Sequence, residues 1–182
     1  RAVSYWWRND TCLVRYRVRI AGVADEHVVL GRVHATQARA EAYLQRSVLR
    51  APVARGSRSP ARPWRRWAAL DADSDLVVHP FPLDPSLPTL PACLDPVAVT
   101  AAAPDQLGLR VEGPVTVVHH PRTGPCVLRY EGPAGTVYGK VYDDETAGPR
   151  VHATLRALAH PAFTTDGVLV RFPTALTYEP RL

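Results

Sequence analysis

One sequence pattern occurs twice in this chain, and it constrains the fold more than any other feature. Cys12-Leu-Val-Arg-Tyr16 is matched by Cys126-Val-Leu-Arg-Tyr130, and Gly31-Arg-Val-His34 is matched by Gly139-Lys-Val-Tyr142. Each copy is typical of a strand, a turn, a second strand and a helix, so the chain is predicted to contain two versions of one architecture. The alternative is coincidence between two hairpins that are both rich in valine and arginine.

The first copy begins with a strongly alternating segment. Residues 11–21 place apolar and arginine side chains on opposite sides, which predicts a strand with one dry face. A second strand is expected over about 27–34, followed by a helix over about 37–50 that Thr36 caps. The repeated cysteines Cys12 and Cys126 fall in equivalent strands, and we expect both to be small buried side chains.

The segment between the copies is irregular. Residues 51–66 follow neither period and are rich in proline, glycine, serine and arginine, which predicts a basic loop. A short strand is expected at Leu76–His79, and the proline-punctuated residues 80–91 are expected to be extended. Asp95 and Pro96 combine an N-cap with a first-turn proline, which predicts a helix over about 96–103.

The second copy predicts a small antiparallel sheet and a helix. The expected strands are Val115–His119, Cys126–Glu131 and Thr136–Tyr142, with a hairpin turn at 132–135. A helix is expected over about 146–159, because acids at 143–145 suit the positive end of a helix dipole. Two further strands are expected at Gly167–Phe172 and Thr174–Tyr178. The fold class is therefore α+β, with two small antiparallel sheets that each carry a packed helix.

Composition excludes several classes of protein. The chain has 182 residues and is 46% hydrophobic, which is too apolar for disorder. No apolar run approaches the roughly 18 residues of a membrane helix, so no membrane partner is expected. Three cysteines without a CxxC spacing favour a reducing compartment, and we expect a cytoplasmic protein. The histidines share no ligand spacing, so no metal site is expected within the chain.

Charge is unevenly distributed. Residues 1–66 contain 14 arginines against four acids, a formal charge of +10, whereas the remainder carries −5. The arginines near Trp64 and Trp67 are one feature that nucleic-acid binders use. A solvated basic loop in an arginine-rich chain is the interpretation we favour, so nucleic acid is not our expected partner.

Lys140 is the candidate for chemistry. It is the only lysine in a chain with 21 arginines, and it lies within a predicted strand. Lysine is a compact point charge on a flexible stem, which suits a phosphate inside a narrow cleft. The alternative is a lysine that protects an edge strand from aggregation.

The order of strand, loop, strand, lysine-bearing strand and helix is that of the small lobe of protein-kinase-like enzymes. The residues concerned are Cys126-Val-Leu-Arg-Tyr-Glu131, Val137-Tyr-Gly-Lys-Val-Tyr142 and Val151-His-Ala-Thr-Leu-Arg-Ala-Leu158. With them, residues 107–182 resemble the nucleotide-binding lobe of aminoglycoside-phosphotransferase-like small-molecule kinases. The resemblance implies a kinase-like lobe at 105–182, truncated before the hinge and catalytic lobe, and an accessory α+β domain at 1–104.

The resemblance also implies roles for individual residues. Lys140 would contact the α- and β-phosphates of ATP, and Tyr138, on the same face, would lie beside the base. The loop Arg122-Thr123-Gly124 would arch over the phosphates and offer backbone amides. Glu145 would orient Lys140, although it precedes the usual mid-helix position. We favour the alternative for Glu145, a surface acid that complements the helix dipole.

The first copy has Arg32 at the position of Lys140 and no matching glycine loop. We therefore expect the first domain to pack rather than to bind ATP. We expect a solvated Glu41, and the alternative is a Glu41–Arg32 ion pair.

The functional expectation is a fragment of an ATP-dependent phosphotransferase that acts on a small hydroxylated molecule. ATP and Mg²⁺ would be its cofactors, and the resemblance implies that metal ligands and catalytic residues lie outside this chain. We assign no catalytic residue within it. The alternatives are a non-catalytic kinase-like binding module and, less favoured, a basic nucleic-acid-binding protein.

Overall fold

The computed structural model describes residues 2–8, 10–48, 63–103, 108–120, 124–158, 163–165, 168–170 and 173–179. The chain divides into two compact units, Arg1–Pro91 and Ala92–Leu182. From the sequence, the domain boundary is expected later, between residues 104 and 105. The described residues form two antiparallel sheets of five and three strands together with four helices, which confirms the α+β class.

The first unit contains the five-stranded sheet. Its spatial order is β1-β2-β3-β5-β4, and all neighbours are antiparallel. The strands β2 and β3 agree closely with the predicted ones, whereas β1 and β4 were not predicted. The bounds are β1 Ala2–Arg8, β2 Thr11–Arg19, β3 Glu26–Val33, β4 Ala69–Asp71 and β5 Leu76–Pro80.

One helix packs on this sheet. Helix α1 spans Gln37–Tyr43 and continues as a π-helical turn over Leu44–Val48. The hydroxyl of Thr36 accepts a hydrogen bond from the amide of Arg39, which confirms the predicted cap. The buried residues Ala40 and Val48 pack with Val77 of β5 and with Leu83, and this cluster forms the core of the unit. Residues 49–50 of the predicted helix lie outside the described residues.

The second unit contains the three-stranded sheet, in the order β6-β7-β8. Asp95 accepts a hydrogen bond from the amide of Val97, and Pro96 occupies the first turn, as predicted from the sequence. Helix α2, Leu90–Cys93, spans the boundary between the two units. The elements of the second unit are α3 Pro96–Ala102, β6 Thr116–His119, β7 Cys126–Gly132, β8 Gly135–Val141 and α4 Ala147–Leu158, followed by the hairpin of β9 Phe163–Thr165 and β10 Val168–Val170.

Three expectations for irregular segments differ from the structure. Residues 90–93 form a helical turn rather than extended chain, and β9 was not predicted. Residues 174–178 form no strand; instead, the ring of Tyr178 lies against Gly148 of α4. This packing positions the segment without a partner strand. Residues 51–62 of the predicted basic loop lie outside the described residues, and residues 63–66 belong to no helix or strand.

The two copies of the repeat pair their strands in the same register. In both, the cysteine stands opposite a valine, the next residue opposite the cation, and the third opposite the glycine. The pairs are Cys12–Val33, Leu13–Arg32 and Val14–Gly31 in the first copy, and Cys126–Val141, Val127–Lys140 and Leu128–Gly139 in the second. Cys12 and Cys126 are both buried, as expected, and neither takes part in a disulfide. The repeat is therefore a repeat of structure as well as of sequence.

Within the described part of the chain, no helix combines the length and the apolar character that a bilayer crossing requires.

Candidate functional site

Lys140 lies near the end of β8, on the side of the sheet that is exposed. Alternate residues of a strand point to opposite faces, so Lys140 shares its face with Tyr138. Tyr138 is 61% exposed, whereas Val141, on the other face, is only 6% exposed. We call the exposed side, formed by Val127 and Arg129 of β7 and by Tyr138 and Lys140 of β8, the open face.

The opposite face of the same sheet is packed. Cys126, Leu128 and Tyr130 of β7 are all buried there. The Tyr130 hydroxyl donates a buried hydrogen bond of 3.0 Å to the carbonyl oxygen of Cys93. Burial raises the pKa of Tyr130 above its ordinary value, which keeps the hydroxyl protonated as a donor. This packing fixes the strands whose other side carries Lys140.

The open face carries two cations, Arg129 and Lys140, which differ in their partners. Arg129 stands opposite Tyr138, and its Nε lies 2.9 Å from Oε1 of Glu131. The hydroxyl of Thr136 donates a 2.7 Å hydrogen bond to the same carboxylate. Lys140 stands opposite the apolar Val127, and among the described residues it has no ion pair or hydrogen bond. Its ammonium group is exposed, and β8 is an edge strand of the sheet, so the structure also fits the alternative of a lysine that protects an edge strand from aggregation.

The loop between β6 and β7 is described only in part. Arg122 and Thr123 of the predicted phosphate loop lie outside the described residues. Gly124 is described and has a φ of +92°, a conformation that favours glycine over residues with a side chain. Beyond it, β7 begins at Cys126, and the pair Val127–Lys140 follows. The sheet therefore places Gly124 near the Lys140 end of the open face.

The acids between β8 and α4 have separate positions. The backbone amide and the hydroxyl of Thr146 each donate a 2.8 Å hydrogen bond to Oδ1 of Asp144. These bonds hold the pKa of Asp144 below its ordinary value. Glu145 is exposed, and no ion pair joins it to Lys140 among the described residues. The geometry at the start of α4 agrees with a surface acid at 145.

The equivalent cation of the first unit has a different environment. Arg32 lies with its guanidinium carbon 4.6 Å from the ring centroid of Tyr43, a cation–π contact with α1. Glu41 is exposed and accepts a hydrogen bond of 2.9 Å from Gln37, four residues earlier in the helix. The solvated interpretation of Glu41 is therefore the one that the structure supports. The Arg32 face of the first sheet is covered by α1.

A buried polar group accompanies this contact. The Tyr43 hydroxyl lies 3.3 Å from Nε2 of His79, and the ring of His34 lies 5.1 Å from that of Tyr43. Burial lowers the pKa of His79 to about 4 and raises the pKa of Tyr43 to about 12. Both groups are therefore neutral near pH 7, so Tyr43 can donate to His79. This arrangement attaches α1 to β5 and occupies the space in front of Arg32.

His119, for which the sequence predicts no role, lies on the open face. Val127 of β7 lies between this residue and Lys140: it pairs with His119 of β6 on one side and with Lys140 of β8 on the other. Only the pairing register reveals this, because simple alternation from Val117 would point His119 to the packed face.

The described residues contain no group of three or more His, Cys, Asp or Glu side chains that could hold a metal ion. No protein-family model, curated protein or solved structure matches the chain.

Proposed function

We propose that the second unit binds the phosphates of ATP on its open face, and that the chain supplies the ATP-binding lobe of a phosphotransferase for a small hydroxylated acceptor. One observation carries the proposal. The only lysine of the chain lies on an exposed sheet face with no ion pair among the described residues, beside an exposed aromatic ring.

Charge and chemistry support phosphate as the ligand. A lysine ammonium group makes charge-assisted hydrogen bonds to phosphate oxygens, and its flexible stem lets it follow the ligand. Arg129, the other cation of the open face, forms an ion pair with Glu131. Tyr138 offers an aromatic surface on the same strand, which a nucleobase can contact.

The contrast between the two units supports placing the site in the second one. Arg32 and Lys140 occupy equivalent positions in identically paired strands. Arg32, however, is covered by Tyr43, which is itself bonded to His79. The first unit therefore serves as the accessory domain in this proposal, since its equivalent face is filled by its own helix.

Phosphoryl transfer depends mainly on positioning and on charge stabilisation, so a nucleotide-holding lobe is one separable part of it. The described residues include no candidate set of magnesium ligands, and no step of the reaction is assigned to them. The role of this chain in the proposal is to hold and orient the phosphates.

The test is an ATP titration of the full chain by calorimetry. Because a charge-assisted hydrogen bond contributes about 1.5–3 kcal/mol, Lys140→Ala is expected to weaken ATP binding at least about tenfold. Lys140→Arg, which keeps the charge, is expected to retain part of the affinity. Arg66→Ala removes an exposed cation of the first unit and serves as the matched control. Equal ATP affinity of Lys140→Ala and the unaltered chain would overturn the proposal.

A further inference from the structure

The pairing of β6 with β7 contains an irregularity that changes the direction of a histidine. Thr116 pairs with Arg129 and Val117 with Leu128, but the next pair is His119 with Val127. Val118 is therefore an extra residue without a partner, which is the definition of a β-bulge. Bulges re-aim the side chains that follow them.

Without the extra residue, Val118 would stand opposite Val127 and His119 would stand opposite Cys126. Cys126 is fully buried on the packed face, so that register would direct an imidazole into the core. With the bulge, His119 lies on the open face and is exposed. Val118 is 51% exposed, as expected for the unpaired residue of a bulge at an edge strand.

The shifted register places three residues in one row across the sheet. His119 of β6, Val127 of β7 and Lys140 of β8 stand directly opposite one another. Neighbouring strands are about 4.8 Å apart, so the α-carbons of His119 and Lys140 are separated by about 10 Å. Both side chains rise from the same face and flank the short apolar Val127. A phosphate chain lying over Val127 would have a nitrogen donor on each side.

We propose that His119 is a second phosphate-binding residue, which acts with Lys140 across Val127 on adjacent phosphate groups of a nucleoside di- or triphosphate. This rests on the function proposed above, because it uses the same face and ligand class. A ring nitrogen of an imidazole can donate a hydrogen bond to a phosphate oxygen.

The groups around His119 leave its imidazole available to the ligand. Its neighbours on the open face are Val127, Lys140 and, in the next row, Thr116 with Arg129. Arg129 forms an ion pair with Glu131, which lies a further two residues along β7. No carboxylate is paired with His119 among the residues that the structure describes. Lys140 lies across Val127, so a bound phosphate would lie between its ammonium group and the imidazole.

The experiment is an ATP titration of the full chain by calorimetry. For an exposed contact we expect the His119→Gln variant to bind ATP about two- to fivefold more weakly than the unaltered chain. The His119→Arg variant, which keeps a nitrogen donor at this position, is expected to retain the affinity.

Two controls separate the possible outcomes. His27→Gln removes an imidazole from the first unit and is expected to leave the ATP affinity unchanged. If His119→Gln binds ATP as tightly as the unaltered chain while Lys140→Ala still loses affinity, the role of His119 is wrong and the proposed function stands. If Lys140→Ala binds ATP normally, or the unaltered chain binds none, both proposals are contradicted.

Discussion

The ring of Tyr130 lies over Gly139 of the neighbouring strand, in space that a side chain at 139 would need. A β-carbon added to Gly139 would lie 2.7 Å from Cε2 of Tyr130. The first unit repeats the arrangement, since a β-carbon at Gly31 would lie 3.1 Å from Cε2 of Tyr16. An aromatic ring over a strand glycine fixes register, and in the second unit this register sets the face that carries Lys140.

Gly139→Ala is expected to destabilise the second unit by about 1–3 kcal/mol, the usual cost of overpacking. Gly31→Ala is expected to cost less, because the added β-carbon would lie 3.1 Å from the side chains of Tyr16 and Leu76, whereas at Gly139 it would lie 2.7 Å from Tyr130. Hydrogen exchange of β7 and β8 reports on the second unit alone. Unchanged protection in Gly139→Ala would show that the Tyr130 ring does not require this space.

Tyr130→Phe is expected to lower the free energy of unfolding of the second unit by about 1–3 kcal/mol, because the buried Cys93 carbonyl loses its donor. Tyr138→Phe is the matched control, since Tyr138 is 61% exposed and removal of its hydroxyl is expected to change stability by less than about 0.5 kcal/mol. Urea unfolding of both variants measures the difference. Equal stability of the two variants would contradict the assigned hydrogen bond.

Stability of the first unit is expected to fall as pH falls from about 6.5 to about 4. Burial lowers the pKa of His79 to about 4; the charge of Asp84 opposes this shift and that of Arg32 adds to it. As pH falls, the imidazole of His79 therefore takes up its proton in the unfolded chain at a higher pH than in the folded one. Each pKa unit corresponds to 1.36 kcal/mol, so the contribution lost by pH 4 is on the order of 3 kcal/mol.

Urea unfolding at pH 7.5 and 4.5 measures this dependence, and His79→Gln is expected to remove most of it. Tyr43→Phe is the second variant, because it removes the hydrogen bond to His79 and leaves the imidazole in place. A pH dependence that is the same in His79→Gln as in the unaltered chain would contradict the assignment to this residue.

Glu145→Gln is expected to change ATP affinity by less than about twofold, as for a surface charge that has no partner in the site. The structure shows Glu145 exposed and no ion pair with Lys140 among the described residues. Calorimetry with ATP at pH 7.5 measures the affinity. A loss of tenfold or more would show that Glu145 orients the lysine after all.

The sequence allowed the strands and helices of the repeat to be predicted, because period-two alternation, the Thr36 cap and the Asp95-Pro96 signal are local patterns. The strand β1 was not predicted, because the three consecutive aromatic residues Tyr5, Trp6 and Trp7 give no alternation of apolar and polar side chains. Tyr5 and Trp7 are strongly exposed, at 68% and 69%.

The site could be predicted only in part. Strand alternation correctly placed Tyr138 with Lys140 on one face, because that relation is confined to one strand. The position of His119 depends on a bulge, and the covering of Arg32 by Tyr43 depends on tertiary packing of α1. Neither relation leaves a local sequence signal, because each joins residues of different elements.

The central claim concerns the surroundings of one amine, and chemical modification of that amine tests it most directly. Lys140 is the only lysine of the chain, so an amine-specific acylating reagent followed by peptide mass spectrometry reports on this side chain, with the N-terminal amine as internal reference. The account predicts that ATP slows the acylation of Lys140 in proportion to its occupancy, whereas adenosine, which lacks phosphates, does not. An acylation rate at Lys140 that saturating ATP leaves unchanged would contradict it.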